Sequence, residues 1–491
     1  MVFSSLVFLY VFLPVTLLLY FWSKDIKVKN TVLCVCSFAF YAWGEPKWVI
    51  LLLIGCLFDY FFGILIENNR HNKPLAKLIL ILAVIENILT IGIFKYSGFI
   101  VESINSLTGL SMTVPAITLP IGISFFTFQK LSYTIDVYRG DVKAQRNFVY
   151  FALYISMFFQ LIAGPIVRYS WIENEMTRRN ITLYEFSKGL KRFLFGLGKK
   201  VLLANVAGKL VDTFLTKDIA QITTGEAWFG IFMYSLQIYY DFSGYSDMAI
   251  GLGRMFGFHF PENFKYPYAA NTVTEFWRRW HISLSSFFKD YVYIPLGGNR
   301  KHMLFNIAVV WALTGLWHGA SWNFVLWGVY YGVLLIIEKY FILKPLERAN
   351  KNIDRVFTKK EAKWVRIIMT VIQKTAFIFI TLMGWTLFYF EDSSRLGKFF
   401  GILFGNGFKG ESTTPLSMIV QNNIWWIIAA VILTQPVIRC VKYYAYRLQR
   451  KYRKLSYFND FASSAISIVL LVISTIMLVG NSYNPFIYWN F

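Results

Sequence analysis

Long apolar runs separated by short polar stretches make up most of this chain, and their lengths predict membrane-crossing helices. Runs at 6–22, 31–43 and 48–66 open the sequence, and similar ones recur to its end. A helix crossing the hydrocarbon core needs about 20 mostly apolar residues, and on that criterion we count roughly 11 or 12 spans. The first run has no basic segment before it and no small-residue cleavage pattern after it, so it is expected to be a retained span, not a signal peptide.

The polar stretches set the orientation. Lys24, Lys27 and Lys29 follow the first run, and Arg70, Lys73 and Lys77 follow the next two. Both loops are expected on the cytoplasmic side, with the N-terminus outside. Basic stretches at 191–200, 299–302, 344–366 and 442–454 are each separated by two candidate crossings, so all four can share that face. Parity fails once. Between the basic loops at 139–146 and 178–179 lies a single long run, 148–167. Either it or the Gly-, Ser- and Thr-containing run 119–137 is expected to enter and leave on one side. Such backbone survives at membrane depth only inside protein or along a cavity, which hints at an internal chamber. The stretch 346–363 reads as a loop with helical character and 405–415 as a short loop on the other side, so no soluble domain fits between the spans. The expected fold class is therefore all-α: a polytopic membrane protein with re-entrant and interfacial helices, forming one domain over 1–491.

Composition agrees with this class and excludes others. Of 491 residues, 56% are hydrophobic, 19% aromatic and only 15% charged, which no soluble domain matches. The net charge of +22 does not point to nucleic acid, because the Lys and Arg occupy short loops between apolar runs. Cys34, Cys36, Cys56 and Cys440 show neither metal-ligand spacing nor a disulfide framework, so no metal site is expected and they read as small core hydrophobes.

Candidate chemistry begins with His318 in WHGASWNF and His281 in FWRRWHISLSSFFKDYVYIPLGG. A titratable ring in hydrophobic sequence is costly and so marks a functional site, or else a hydrogen bond between helices. A helical projection of 276–293 places Trp277, Trp280, Leu284, Phe287, Phe288 and Tyr291 in one arc. Arg278, Arg279, Ser285, Ser286, Lys289 and Asp290 fall opposite, as in an amphipathic interfacial helix, with His281 at the edge of the apolar stripe. The run 303–317 carries His318 well past the surface, and Gly319, Ala320 and Ser321 let the chain turn there. Asp241 and Asp247, within YYDFSGYSDMAIGLGRMFGF, either face a cavity or pair structurally with Arg254 or Arg168.

FWRRWHISLSSFFKDYVYIPLGGNR followed by TGLWHGASWNFVLWG resembles the membrane-bound O-acyltransferases, in the branch typified by the alginate O-acetyltransferase membrane subunit. LPIGISFFTFQKLSYTIDVYRG, FFQLIAGPIVRY, DFSGYSDMAIGLGRMFGF and the ending NPFIYWNF resemble it too. The resemblance implies a core at about 115–343, with peripheral spans at 1–100 and 364–482. It also implies a central channel in which an acyl group passes from cytoplasmic acetyl-CoA to an acceptor from outside, with no bound cofactor. His318 matches the family's catalytic histidine and His281 its second active-site position. A neutral imidazole can take the proton of a poor alcohol nucleophile as it attacks a thioester. His281, Trp317 and Asn323 are candidate oxyanion donors, Asp241 and Asp247 candidate channel-lining groups, and Lys289, Arg300 and Lys301 candidate contacts to coenzyme A phosphates. Implied partners are the lipid bilayer, an extracellular acetyltransferase and a polysaccharide acceptor. Competing readings are a proton-coupled transporter of a polysaccharide precursor, teichoic-acid D-alanyl transfer, and a scaffold subunit without chemistry. An extracellular Ser-His-Asp enzyme is disfavoured, since no extramembrane domain exists to hold a triad.

Overall fold

The computed structural model describes residues 1–162, 164–410, 415–452, 454–480, 483–485 and 487. Helices make up 78% of the described residues, and no strand occurs among them. A helix satisfies its own backbone hydrogen bonds, which hydrocarbon cannot do for it. Among the described residues, six helices are long and apolar enough to cross a bilayer: Val49–Asn68, Lys73–Thr108, Trp322–Ile353, Lys359–Tyr389, Leu416–Leu433 and Phe458–Val479. Two shorter apolar helices, Phe8–Trp22 and Met303–His318, accompany them. The protein is thus an all-α, multi-pass membrane protein.

This count is lower than the apolar runs suggest, because several runs carry charge or break. Ile26–Gly44 contains Lys27 and Lys29, and Ile123–Arg139 contains Lys130 and Asp136. The run 148–167 forms only Phe148–Ser156 and Phe158–Leu161, with Met157 out of helical geometry between them (φ −44°, ψ 113°). Nine residues of helix rise only about 14 Å, less than half the hydrocarbon thickness. Residues 164–167 then continue as buried, non-helical backbone, the form expected of a segment that does not cross as one helix.

The chain divides into two compact units. The first comprises Met1–Leu202, Asp241–Glu262 and Ser463–Phe491; the second comprises Leu203–Tyr240 and Asn263–Ala462. In the first unit, a glycine seam sets the approach of Leu183–Gly198 to residues 241–255. A Cβ at Gly189 would lie 2.7 Å from the Gly251 carbonyl oxygen, and one at Gly196 2.6 Å from that of Gly244. This close antiparallel contact brings acids and bases together. Lys200 Nζ lies 2.7 Å from Asp241 in a fully buried pair, while Arg192 and Lys199 lie 2.7 and 2.6 Å from Asp247. The expected partners were Arg254 or Arg168; Arg254 instead binds Glu185 at 2.9 Å. The Ile487 N–H donates to Asp241 Oδ2 at 2.8 Å, and Lys200 Nζ donates to the Pro485 carbonyl. The rest of NPFIYWNF beyond Asn484, at 486 and 488–491, lies outside the described residues. A second buried network joins Lys130 to Asp59 at 3.0 Å and to Glu86 at 3.6 Å, with Asn87 and Thr134 donating to Asp59. Cys34 and Cys56 are buried as expected, but Cys440 is exposed on Val437–Lys451 and is not a core residue.

In the second unit, Met303–His318 and Trp322–Ile337 form a tight hairpin. A Cβ on Gly315 would fall on the Phe324 carbonyl oxygen, and one on Gly328 on that of Trp311, so only hydrogen fits where the helices cross. At about 1.5 Å per residue the first helix is roughly 24 Å long, and it delivers His318 to the closed end of the hairpin. Helix Lys359–Tyr389, opened by a Thr358–Glu361 capping box, brings its last turn against that end. The polar stretch 346–363 is largely helical (Leu343–Val356), while 411–414 of the expected loop at 405–415 lie outside the described residues.

Candidate functional site

The helix expected over 276–293 is broken, and the break is at His281. Val273–Trp277 and Ile282–Phe288 are separate helices followed by a π-helical turn at Lys289–Tyr293. His281 sits between the first two in left-handed geometry (φ 43°, ψ 57°), a conformation that side-chain-bearing residues hold only when their surroundings impose it. Asn263 imposes it. Its carbonyl accepts the Ile282 N–H at 3.0 Å, and its side-chain Oδ1 accepts the Ser283 N–H at 3.2 Å and the Ser283 hydroxyl at 2.9 Å. Amphipathic spacing survives the break: Trp277, Trp280, Leu284, Phe287, Phe288 and Tyr291 are buried, and Arg278, Ser285 and Lys289 are exposed. Upstream, the buried Glu338 carboxylate accepts the Val273 and Thr274 N–H groups at 2.6 and 3.0 Å. A carboxylate there matches the unpaired donors of a helix start.

The same Asn263 oxygen lies 3.1 Å from His281 Nδ1. An amide oxygen can only accept, and the two Ser283 donors fix which end of the amide points here. Nδ1 therefore carries the proton and Nε2 keeps its lone pair. Burial pushes this imidazole far below its usual value, so it is neutral at physiological pH.

His318 is likewise buried, and aromatic rings surround it. The ring centroids of Trp317, Trp327 and Phe388 lie 4.8, 4.9 and 5.2 Å from its own, each edge to face. Trp317 also stands 5.5 Å from the His281 ring. Both histidines, 37 residues apart in sequence by subtraction of their numbers, thus share one indole. Asn323 is buried, and its Nδ2 donates to the Leu387 and Phe388 carbonyls, both at 3.3 Å. It ties the hairpin to the end of Lys359–Tyr389.

The remaining candidates fall elsewhere. Asp241 and Asp247 belong to the first unit and are held by the cations described above. Lys289, Arg300 and Lys301 are exposed. The last two ride on a loop bent through Gly297 and Gly298 (φ 108° and 57°) and pinned by Asn306, whose Nδ2 donates to the Gly298 and Lys301 carbonyls at 2.9 and 2.7 Å. Sequence reasoning did not single out Asn263 or Glu338. Glu338 at least left a signal, since it is a carboxylate closing an apolar run; Asn263 lies in an ordinary polar loop and left none.

Comparison with known proteins adds a lineage to this geometry. The sequence profile of the membrane-bound O-acyltransferase family matches residues 123–343. A protein named "Probable alginate O-acetylase AlgI" in Azotobacter vinelandii is 40% identical over 414 residues, 83% of this chain and 79% of that one. Its namesake in Pseudomonas putida is 37% identical over the full length of both. A peptidoglycan O-acetyltransferase of Helicobacter pylori is 31% identical over all of this chain and 98% of its own.

Proposed function

This chain belongs to the membrane-bound O-acyltransferase family, and we propose that it moves acetyl groups from cytoplasmic acetyl-CoA toward an extracellular polysaccharide, directly or through a partner acetyltransferase. The observation that carries the reading is the convergence of two buried histidines on Trp317, with the tautomer of His281 set by Asn263.

In this reading His318 is the base. The acceptor hydroxyl attacks the thioester carbonyl carbon as its proton passes to His318, the tetrahedral intermediate collapses, and the coenzyme A sulfur leaves and takes up that proton. His281, through its Nε2 lone pair, orients the acceptor hydroxyl. Exclusion of water by the aromatic shell strengthens these contacts and protects the thioester from hydrolysis. The exposed Lys289, Arg300 and Lys301 supply charge for the coenzyme A phosphates. The N-terminus lies outside, since the basic loops then face the cytoplasm. The names of the relatives support alginate or another envelope glycan as the acceptor class.

The test is thioester consumption by the purified protein in lipid discs, with labelled acetyl-CoA and envelope glycan as acceptor. Wild type should consume the thioester and His318→Ala should lose transfer by at least 10²-fold, the scale of general base catalysis. Solute movement without any thioester, or full activity of His318→Ala, refutes the proposal.

A further inference from the structure

Against His318, through Trp327, stands a group of three rings whose polar atoms the mechanism above does not use. Trp277, Trp327 and Tyr331 stand in mutual contact, with centroids 5.4 Å (Trp277 to Trp327), 4.9 Å (Trp277 to Tyr331) and 5.3 Å (Trp327 to Tyr331) apart. All three side chains are more than nine-tenths buried. Trp277 Nε1, Trp327 Nε1 and the Tyr331 hydroxyl have no hydrogen-bond partner among the described residues. Buried donors are nearly always satisfied, so three in one cluster next to a reaction centre call for an acceptor that arrives from outside the fold. An indole N–H only donates, which narrows the ligand to a group rich in lone pairs and poor in hydrogens.

Trp327 is the member that touches His318, at 4.9 Å between ring centroids. We infer that its Nε1–H is the oxyanion donor: it binds the thioester carbonyl oxygen and holds the negative charge that develops there as the acceptor oxygen bonds to the carbonyl carbon. The carbonyl π pair moves onto that oxygen, then returns as the carbon–sulfur bond breaks and the thiolate departs. Trp277 and Tyr331 carry the two other unpaired donors of the group. Asn323 does not fill this role, because its amide N–H groups face the Leu387 and Phe388 carbonyls. This assignment rests on the acyl-transfer reading and adds to it the group that stabilises the transition state.

The experiment replaces Trp327 with β-(3-benzothienyl)alanine, which keeps the ring shape and exchanges N–H for sulfur, and compares it with wild type, Trp327→Phe and His318→Ala in lipid discs. Acetyl-CoA consumption is measured with thermal unfolding of each sample as a check on folding. The isostere should lower kcat by about 10²- to 10³-fold, the loss found when one oxyanion donor is removed, with KM for acetyl-CoA nearly unchanged. Full kcat in the isostere, or a loss confined to KM, overturns the assignment while leaving the acyltransferase reading intact. A wild type that leaves acetyl-CoA untouched under every condition sinks the acyltransferase reading first, and this inference with it.

Discussion

Asn263→Ala is the substitution that separates folding from chemistry most sharply. One oxygen, Oδ1, accepts the Ser283 N–H at 3.2 Å and the Ser283 hydroxyl at 2.9 Å, and lies 3.1 Å from His281 Nδ1. Truncation removes all three acceptor contacts inside a fully buried site. The hydroxyl can rotate toward another acceptor and the ring can carry its proton on Nε2 instead, but the Ser283 N–H is fixed. One stranded buried donor costs about 1–3 kcal/mol, which is the expected loss of stability. Activity should fall by a different amount. The Asn263 contact favours the Nδ1–H tautomer by the net worth of one hydrogen bond, about 1–1.5 kcal/mol, a shift of about 5- to 10-fold in the tautomer ratio; between otherwise equal tautomers its loss takes the reactive fraction from about nine-tenths to half, so kcat should fall about 2-fold. Asn263→Asp keeps the acceptors but places a charge beside the ring and favours the imidazolium, so its activity should recover only as pH rises. The assay is acetyl-CoA consumption across pH 5.5 to 9 alongside thermal unfolding. An Asn263→Ala protein that is less stable yet keeps wild-type kcat would falsify the tautomer argument and leave Asn263 a purely structural tether.

Gly328→Ala should separate the hairpin that carries His318, because its Cβ would fall on the Trp311 carbonyl oxygen and lie 3.2 Å from the Gly315 Cα; overpacking of this kind costs about 1–3 kcal/mol, and an unchanged melting temperature and kcat would show that the helices have room the geometry denies. Acidification should destabilise the wild type through His281. Its folded imidazole is pushed down to about 3 by burial, so the unfolded chain takes up the proton first. Stability is then complete above about pH 6.5 and falls below it, by at most about 1.4 kcal/mol per pH unit, until the folded value is reached. His281→Asn, which tolerates the left-handed backbone, should show a shallower loss between pH 6.5 and 4.5; equal slopes would mean that other groups govern acid unfolding.

Much of the site could be read in the sequence because it is written in local spacing. The arc from Trp277 to Tyr291 is buried as its helical projection predicts, and His318 ends an apolar helix that a turn of small residues must follow. What escaped is set by distant partners. The break at His281 is dictated by a loop asparagine 18 residues upstream, and no periodicity within 276–293 records it. Ion-pair partners escaped for a related reason. Asp241 and Asp247 looked toward nearby arginines, whereas the pairing follows from Gly189 and Gly196 meeting Gly251 and Gly244, glycines whose seven-residue spacing on both helices is visible only once their register is known. Trp327 and Tyr331 were hidden among many aromatic residues, since an unsatisfied N–H or O–H is a property of surroundings and leaves no mark in composition.

The grip of Lys200 and Asp241 on residues 485 and 487 also has a bearing on how the protein is made. The Ile487 N–H reaches Asp241 across 246 residues of sequence. At about 5–20 residues per second of synthesis, roughly 12–50 s pass between the two leaving the ribosome. Lys200 and Asp241 are therefore both synthesised well before that contact can form. Completion of this part of the bundle waits for residues 485 and 487, so a substitution there acts on a buried ion pair synthesised long before it.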